Sequence, residues 1–205
     1  MSPDTIPINW FDLALVVVLL LGSWRGRQHG MSEETLPLVK WIIILFGAAL
    51  TYERVGDFVL RNTPFGRLLS YISGYVIVVL AVFALFSLFK RALGGKLIGS
   101  DFFGPTEYYL GIGAGMVRFT CILLVGLALL NARLYSTGEV RAMRKYQNEV
   151  YGSNFFPSLQ TVQESVFTES LTGPQIQKYC GHLLIKPTPP GGGKLQRTRR
   201  EAPVF

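Results

Sequence analysis

Charge is scarce in this chain. Only 16% of its 205 residues are Asp, Glu, Lys or Arg, against about 25% in an ordinary soluble domain. With 49% of residues hydrophobic, that shortage excludes a disordered polypeptide and argues against a water-soluble one. Cysteine is nearly missing as well. Cys121 lies in an apolar run and Cys180 in the C-terminal third. No Cys-x-x-Cys spacing links them, so no disulfide scaffold or zinc site is expected and the redox compartment is not legible. The histidines, His29 and His182, stand far apart, with nothing nearby to suggest a triad or metal pocket. Gly-x-Ser-x-Gly, His-Glu-x-x-His and P-loop patterns are missing too. A non-enzyme with no cofactor and no metal is the expectation.

Apolar runs are plentiful. Four occur, at 8–24, 36–52, 68–89 and 108–130, and each reaches the roughly 17–25 residues that a membrane-crossing helix needs. In hydrocarbon, backbone N–H and C=O groups must be satisfied internally, so these runs should be helices. A chain of this size also lacks the polar helices needed to cover four such segments in water. The predicted fold class is all-α, a four-helix transmembrane bundle followed by short amphipathic helices and a disordered C-terminal tail. The first run reads as a retained span rather than a cleaved signal. Its flank carries Asp4 and no basic residue, and Gly22-Ser23-Trp24-Arg25 lacks a small-x-small cleavage site. Short loops are predicted at 25–35, 53–67 and 90–107, punctuated by glycine and proline. In the third, Phe102-Phe103 could dip into the membrane interface.

Beyond residue 135 the character changes. Amphipathic stretches follow at 140–151 and 159–171, where Gly173-Pro174 should break the pattern. A third stripe comprises Ile176, Tyr179, Cys180, Leu183 and Leu184. From 187 onward too little apolar surface remains to offset ordering entropy. Lys194, Arg197, Arg199 and Arg200 would then be free for phosphate headgroups or an acidic partner, or simply solvated. The division expected is a four-span domain over 1–134, an amphipathic helical tail over 135–186 and a disordered basic tail over 187–205. The net charge of +7 comes without zinc-finger, RNP-like or helix-turn-helix patterns, so membrane lipids rather than nucleic acid are the expected counter-surface.

Three charged residues fall inside the runs: Asp12, Lys40 and Arg118. Asp12 and Lys40 lie near the starts of their spans, and Lys40 can snorkel to the surface. Arg118 lies about ten residues into the fourth run, roughly 15 Å deep. A charge at mid-bilayer costs about 2.5–3.5 kcal/mol on insertion scales. Gly111, seven residues earlier, points in nearly the same direction, and Gly111-x-x-x-Gly115 lets a helix approach closely. Arg118 should therefore face protein. Helix-end carbonyls, a lipid phosphate or a carboxylate could satisfy it, and Asp12 is the only acid within the four runs. The Gly111-Ile112-Gly113-Ala114-Gly115 string is not a dinucleotide loop, because no strand precedes it and no third glycine sits at the required spacing.

Asn9-Trp10-Phe11-Asp12 opening an apolar span, Arg25-Gly26 at its end and Trp41 in the second run resemble the first half of the colicin V production protein family. The segment from Glu107 to Arg118 resembles that family's Asp-Arg-x-x-Gly-x-x-x-Gly-x-x-Arg-Gly signature. Glu107 stands for Asp, Tyr108 for Arg and Phe119 for the last Gly, while Gly111, Gly115 and Arg118 keep register. The resemblance covers about residues 8–134. It implies a multi-pass protein of bacterial inner membranes linked to colicin V production or export and to envelope physiology. The residues it singles out are Asp12, Arg25, Gly26, Glu107, Gly111, Gly115 and Arg118. Some relatives carry a serine-protease domain after the last span, which the last 70 or so residues here cannot form. Positive-inside counting leans toward both termini in the cytoplasm, those protease-bearing relatives imply the reverse, and both stay open.

The leading expectation is a non-enzymatic accessory or assembly factor that packs through its glycine face with itself or another membrane protein. The alternatives are a small oligomeric transporter or channel lined by Arg118 and Asp12, and a membrane anchor whose tail recruits a partner.

Overall fold

Asn9 and Asp12 open the first helix with a reciprocal capping box, which satisfies backbone N–H groups that a helix start leaves orphaned. From there the chain is helical almost throughout. The computed structural model describes residues 9–93, 104–135, 145–146, 148–149 and 159–188, and those residues contain no strand beyond one isolated bridge. The principal helices are α1 (Trp10–Asn62), α2 (Arg67–Leu93) and α3 (Glu107–Asn131), each long and apolar enough to cross a membrane. Leu20, Leu50, Leu80, Leu85 and Tyr109 stay exposed along them, as helices surrounded by hydrocarbon would allow.

The all-α expectation holds, but four separate helices of that length become three. The first two apolar runs both belong to α1, because residues 25–35 are helical rather than looped. Arg25, Arg27, Glu33 and Glu34 are good helix formers. Only Gly30 departs from helical geometry, at φ 68° and ψ 175°, a conformation that costs other residues dearly. Two helical arms, 10–29 and 31–62, meet there. The 53–67 loop likewise shrinks, since α1 continues to Asn62.

Contacts fix how these segments run. Gly22 faces Gly115, Gly26 faces Gly111, and Gly30 faces Glu107, so the first arm is antiparallel to α3. The second arm starts near the first half of α3 and by Tyr52 has reached the level of Asn131, as shared contacts with residues 185 and 186 show. It therefore runs parallel to α3. Trp41 meets Phe83 edge-on at 5.4 Å and Tyr52 meets Tyr75 at 6.4 Å, so α2 is antiparallel to that arm. The core between them holds Leu45, Ala48, Tyr52, Tyr75, Cys121 and Leu124.

The C-terminal segment is docked onto this body. Helix α4 (Leu159–Glu164) passes into one π turn at Ser165–Glu169, and α5 (Gly173–Cys180) ends in a 3-10 turn. The 159–171 pattern does end before Gly173-Pro174, as expected, and that pair opens the next helix, where a first-turn proline loses no hydrogen bond. Val166, Phe167, Leu183, Leu184 and Ile185 join the same core as Phe11 and Leu127. Thr188, placed by sequence in the disordered tail, donates its N–H to the Ala132 carbonyl at 3.0 Å and accepts from Leu134 at 3.1 Å. Phe102-Phe103, most of the 140–151 stretch and residues 189–205 lie outside the described residues.

Candidate functional site: two polar junctions at opposite ends of the helices

The first junction forms around Gly30. The turn there leaves N–H groups of the second arm unsatisfied, and Glu107 Oε1 accepts from the Ser32 N–H at 3.2 Å. That carboxylate occupies the first turn of α3 and the start of the second arm together, where two helix dipoles both favour negative charge. Gly30 leaves room for it: a Cβ there would lie 2.7 Å from the Glu107 side chain.

Deeper along the same end sits an ion pair whose acid sequence reasoning did not find. Arg118 Nη1 donates to both oxygens of Glu34, at 2.7 and 3.0 Å. Glu34 is only 2% exposed, and the Arg118 side chain 18%. The Cα of Arg118 lies about 16 Å along α3 from Glu107, yet helical side chains lean toward the N-terminus. Its head therefore reaches back to a carboxylate only four residues beyond the Gly30 turn. Glu34 was invisible as a partner because the 25–35 segment was read as a loop outside the spans. Asp12, the carboxylate named as a candidate for Arg118, lies at the far end of the first arm.

Gly26, Gly111 and Gly115 form the close seam between the first arm and α3. A Cβ on Gly26 or Gly111 would overlap the other's carbonyl oxygen, and one on Gly115 would overlap that of Gly22. The glycine face of α3 is thus spent against α1 of the same chain. Its signal was present as Gly22-x-x-x-Gly26-x-x-x-Gly30, the same four-residue spacing as Gly111-x-x-x-Gly115. Arg25 is exposed, and its carbonyl oxygen lies 2.9 Å from His29 Nδ1.

Asp12 builds the second junction. It is 8% exposed, and its carboxylate gathers four donors. Oδ2 accepts from the N–H groups of Asn9 at 3.1 Å and Leu171 at 3.0 Å. Oδ1 accepts from the Thr172 N–H at 3.1 Å and its hydroxyl at 2.6 Å. One carboxylate therefore serves the starts of both α1 and α5. Asn9 Nδ2 adds a bond to the Ser165 carbonyl at 3.0 Å. Nearby, Asn131 Nδ2 donates to the Ile185 carbonyl at 3.0 Å and the Lys186 N–H donates to the Tyr52 hydroxyl at 3.2 Å. Lys186 Nζ meets Glu53 at 2.8 Å, and that carboxylate holds the ammonium above its ordinary pKa. The Asn9-x-x-Asp12 spacing signals a cap, but nothing in it points to Thr172, 160 positions away.

Among the described residues no group of three or more His, Cys, Asp or Glu side chains could hold a metal ion. What both junctions do chemically is satisfy and fasten helix ends. The family model described as colicin V production protein matches residues 11–169. No curated protein and no solved structure matches the chain.

Proposed function

The chain belongs to the colicin V production protein family, and from that premise we propose that it is a non-enzymatic accessory or assembly factor in toxin export or envelope maintenance. It is an integral membrane protein, and in this reading its two α1 arms, α2 and α3 make four crossings of the bacterial inner membrane. The family match supports the reading by running through all of them and into the docked tail. The observation that carries it is the use of its polar chemistry: Asp12, Glu107 and the Glu34–Arg118 pair serve structural bonds, and Gly26, Gly111 and Gly115 serve close packing. Arg25, exposed before the Gly30 turn, remains for a partner. With the glycine seam occupied within the chain, a second copy or another membrane protein would meet the outer faces instead.

The test is a colicin V-producing strain from which this chain is deleted. Release of active toxin should fall, and the intact chain should restore it. Undiminished release by the deletion strain would overturn the proposal.

A further inference from the structure

Among the described residues at the Gly30 end of the helices, Lys40, Lys90 and Arg118 outnumber the carboxylates in contact with them. Because α2 runs antiparallel to the second arm, its final turn brings Lys90 alongside the start of that arm. Lys40 and Arg118 lean toward the same level from below. Phe83, on whose ring Lys40 rests, lies seven residues before Lys90 on the same face of α2, and Glu34, which holds Arg118, lies six residues before Lys40 in the second arm. Against these three cations stands one carboxylate in contact, Glu34, and a single nitrogen of Arg118 makes both bonds to it. The Arg118 Nε is buried and has no hydrogen-bond partner. Among the described residues neither Lys40 nor Lys90 has a carboxylate within ion-pair distance. Lys40 rests on ring faces, 4.4 Å from the Phe83 centroid and 5.9 Å from that of Trp41. Glu107 is already committed to Ser32.

Unbalanced charge beside hydrocarbon is costly and draws a counter-ion. We propose that Lys40, Lys90 and Arg118 form a binding site for the phosphodiester of an anionic phospholipid, seated between the second arm of α1 and α2. The chemistry favours a lipid source. The cations lie about 6–10 Å inside the Gly30 turn, counting 1.5 Å per residue and the backward lean of their side chains. That is the depth of a headgroup boundary rather than of open water. Lys90 is exposed at the helix surface and Lys40 is half-buried, so a headgroup can reach the lysines laterally. Basic recesses between spans are recognised settings for anionic headgroups.

Trp41 reports on the site. With Trp10→Phe and Trp24→Phe as the background, the full chain is reconstituted into vesicles of phosphatidylglycerol or phosphatidylcholine carrying brominated acyl chains, and quenching of Trp41 is compared. The brominated anionic lipid should quench more strongly at equal mole fraction. Lys40→Gln and Lys90→Gln should each lower that preference about fivefold, the factor that corresponds to one basic side chain near an anionic surface. Unchanged far-ultraviolet circular dichroism and thermal midpoint in unbrominated phosphatidylcholine show that the variants keep their fold. Equal quenching by the two lipids overturns the proposal, as does a preference that survives both substitutions. Inorganic phosphate that abolishes the preference would assign the cations to a soluble anion and overturn the lipid assignment. This readout needs no toxin, so it fails or succeeds independently of the export reading.

Discussion

Arg118 on its own is a liability in a membrane, and so is Glu34. Together they form a unit, because each supplies the counter-charge that the surrounding helices withhold. Removing one partner of a buried pair leaves an uncompensated charge and costs about 3–5 kcal/mol, whereas replacing both by apolar groups of similar volume is often neutral. Arg118→Met is therefore expected to lower the unfolding midpoint in detergent sharply, and Glu34→Met with Arg118→Met to recover most of the loss. A double variant as unstable as the single would show that the pair is not the unit that matters. The inward direction of Arg118 was legible in sequence, from its register with Gly111. Glu34 was not, because charged residues and a glycine look like a loop while their own propensities favour helix. The long reach of arginine then joined two levels that residue counting had kept apart.

At the level of helices, the seam between the first arm and α3 rests on missing side chains. Gly22, Gly26 and Gly30 step along one helix by fours while Gly115, Gly111 and Glu107 step back along the other. Backbones can approach this closely only where no Cβ intervenes. Gly26→Ala should cost about 1–3 kcal/mol by overpacking against the Gly111 carbonyl. Gly113→Ala is the control, since a Cβ there meets nothing within 4 Å and alanine favours helix by about 1 kcal/mol. Thermal unfolding of the two variants in the same detergent should separate them, with Gly113→Ala at least as stable as the parent. Equal losses at both positions would deny the seam its role. The sequence showed the glycine spacing on α3 as an interface but left the partner open. Of the matching glycines of the first arm, Gly26 and Gly30 were instead assigned to punctuation of a loop, because local composition does not say which glycine bends a chain and which lets a neighbour in.

For the whole molecule, the consequence concerns the C-terminal segment. Its amphipathic stripes were legible, but their destination depends on contacts such as Asp12 with Thr172, which no local pattern encodes. Docking buries Phe167, Leu184 and Ile185 with Phe11 in one core, while Asp12 satisfies the N–H groups of Leu171 and Thr172. The segment is therefore part of the folded body, held by an apolar surface and one charged acceptor. Asp12→Ala removes that acceptor and part of the α1 cap, leaving buried donors unsatisfied at about 1–3 kcal/mol. The apolar contacts remain. Loosening should thus be partial and local: proteolysis within 159–188 should accelerate, while α1–α3 keep their helical signal and their protection. Asp12→Asn, which retains one acceptor oxygen, should fall between Ala and the parent. If digestion rates across 159–188 are unchanged in Asp12→Ala, the carboxylate is not what fastens the segment, and the apolar contacts alone must hold it.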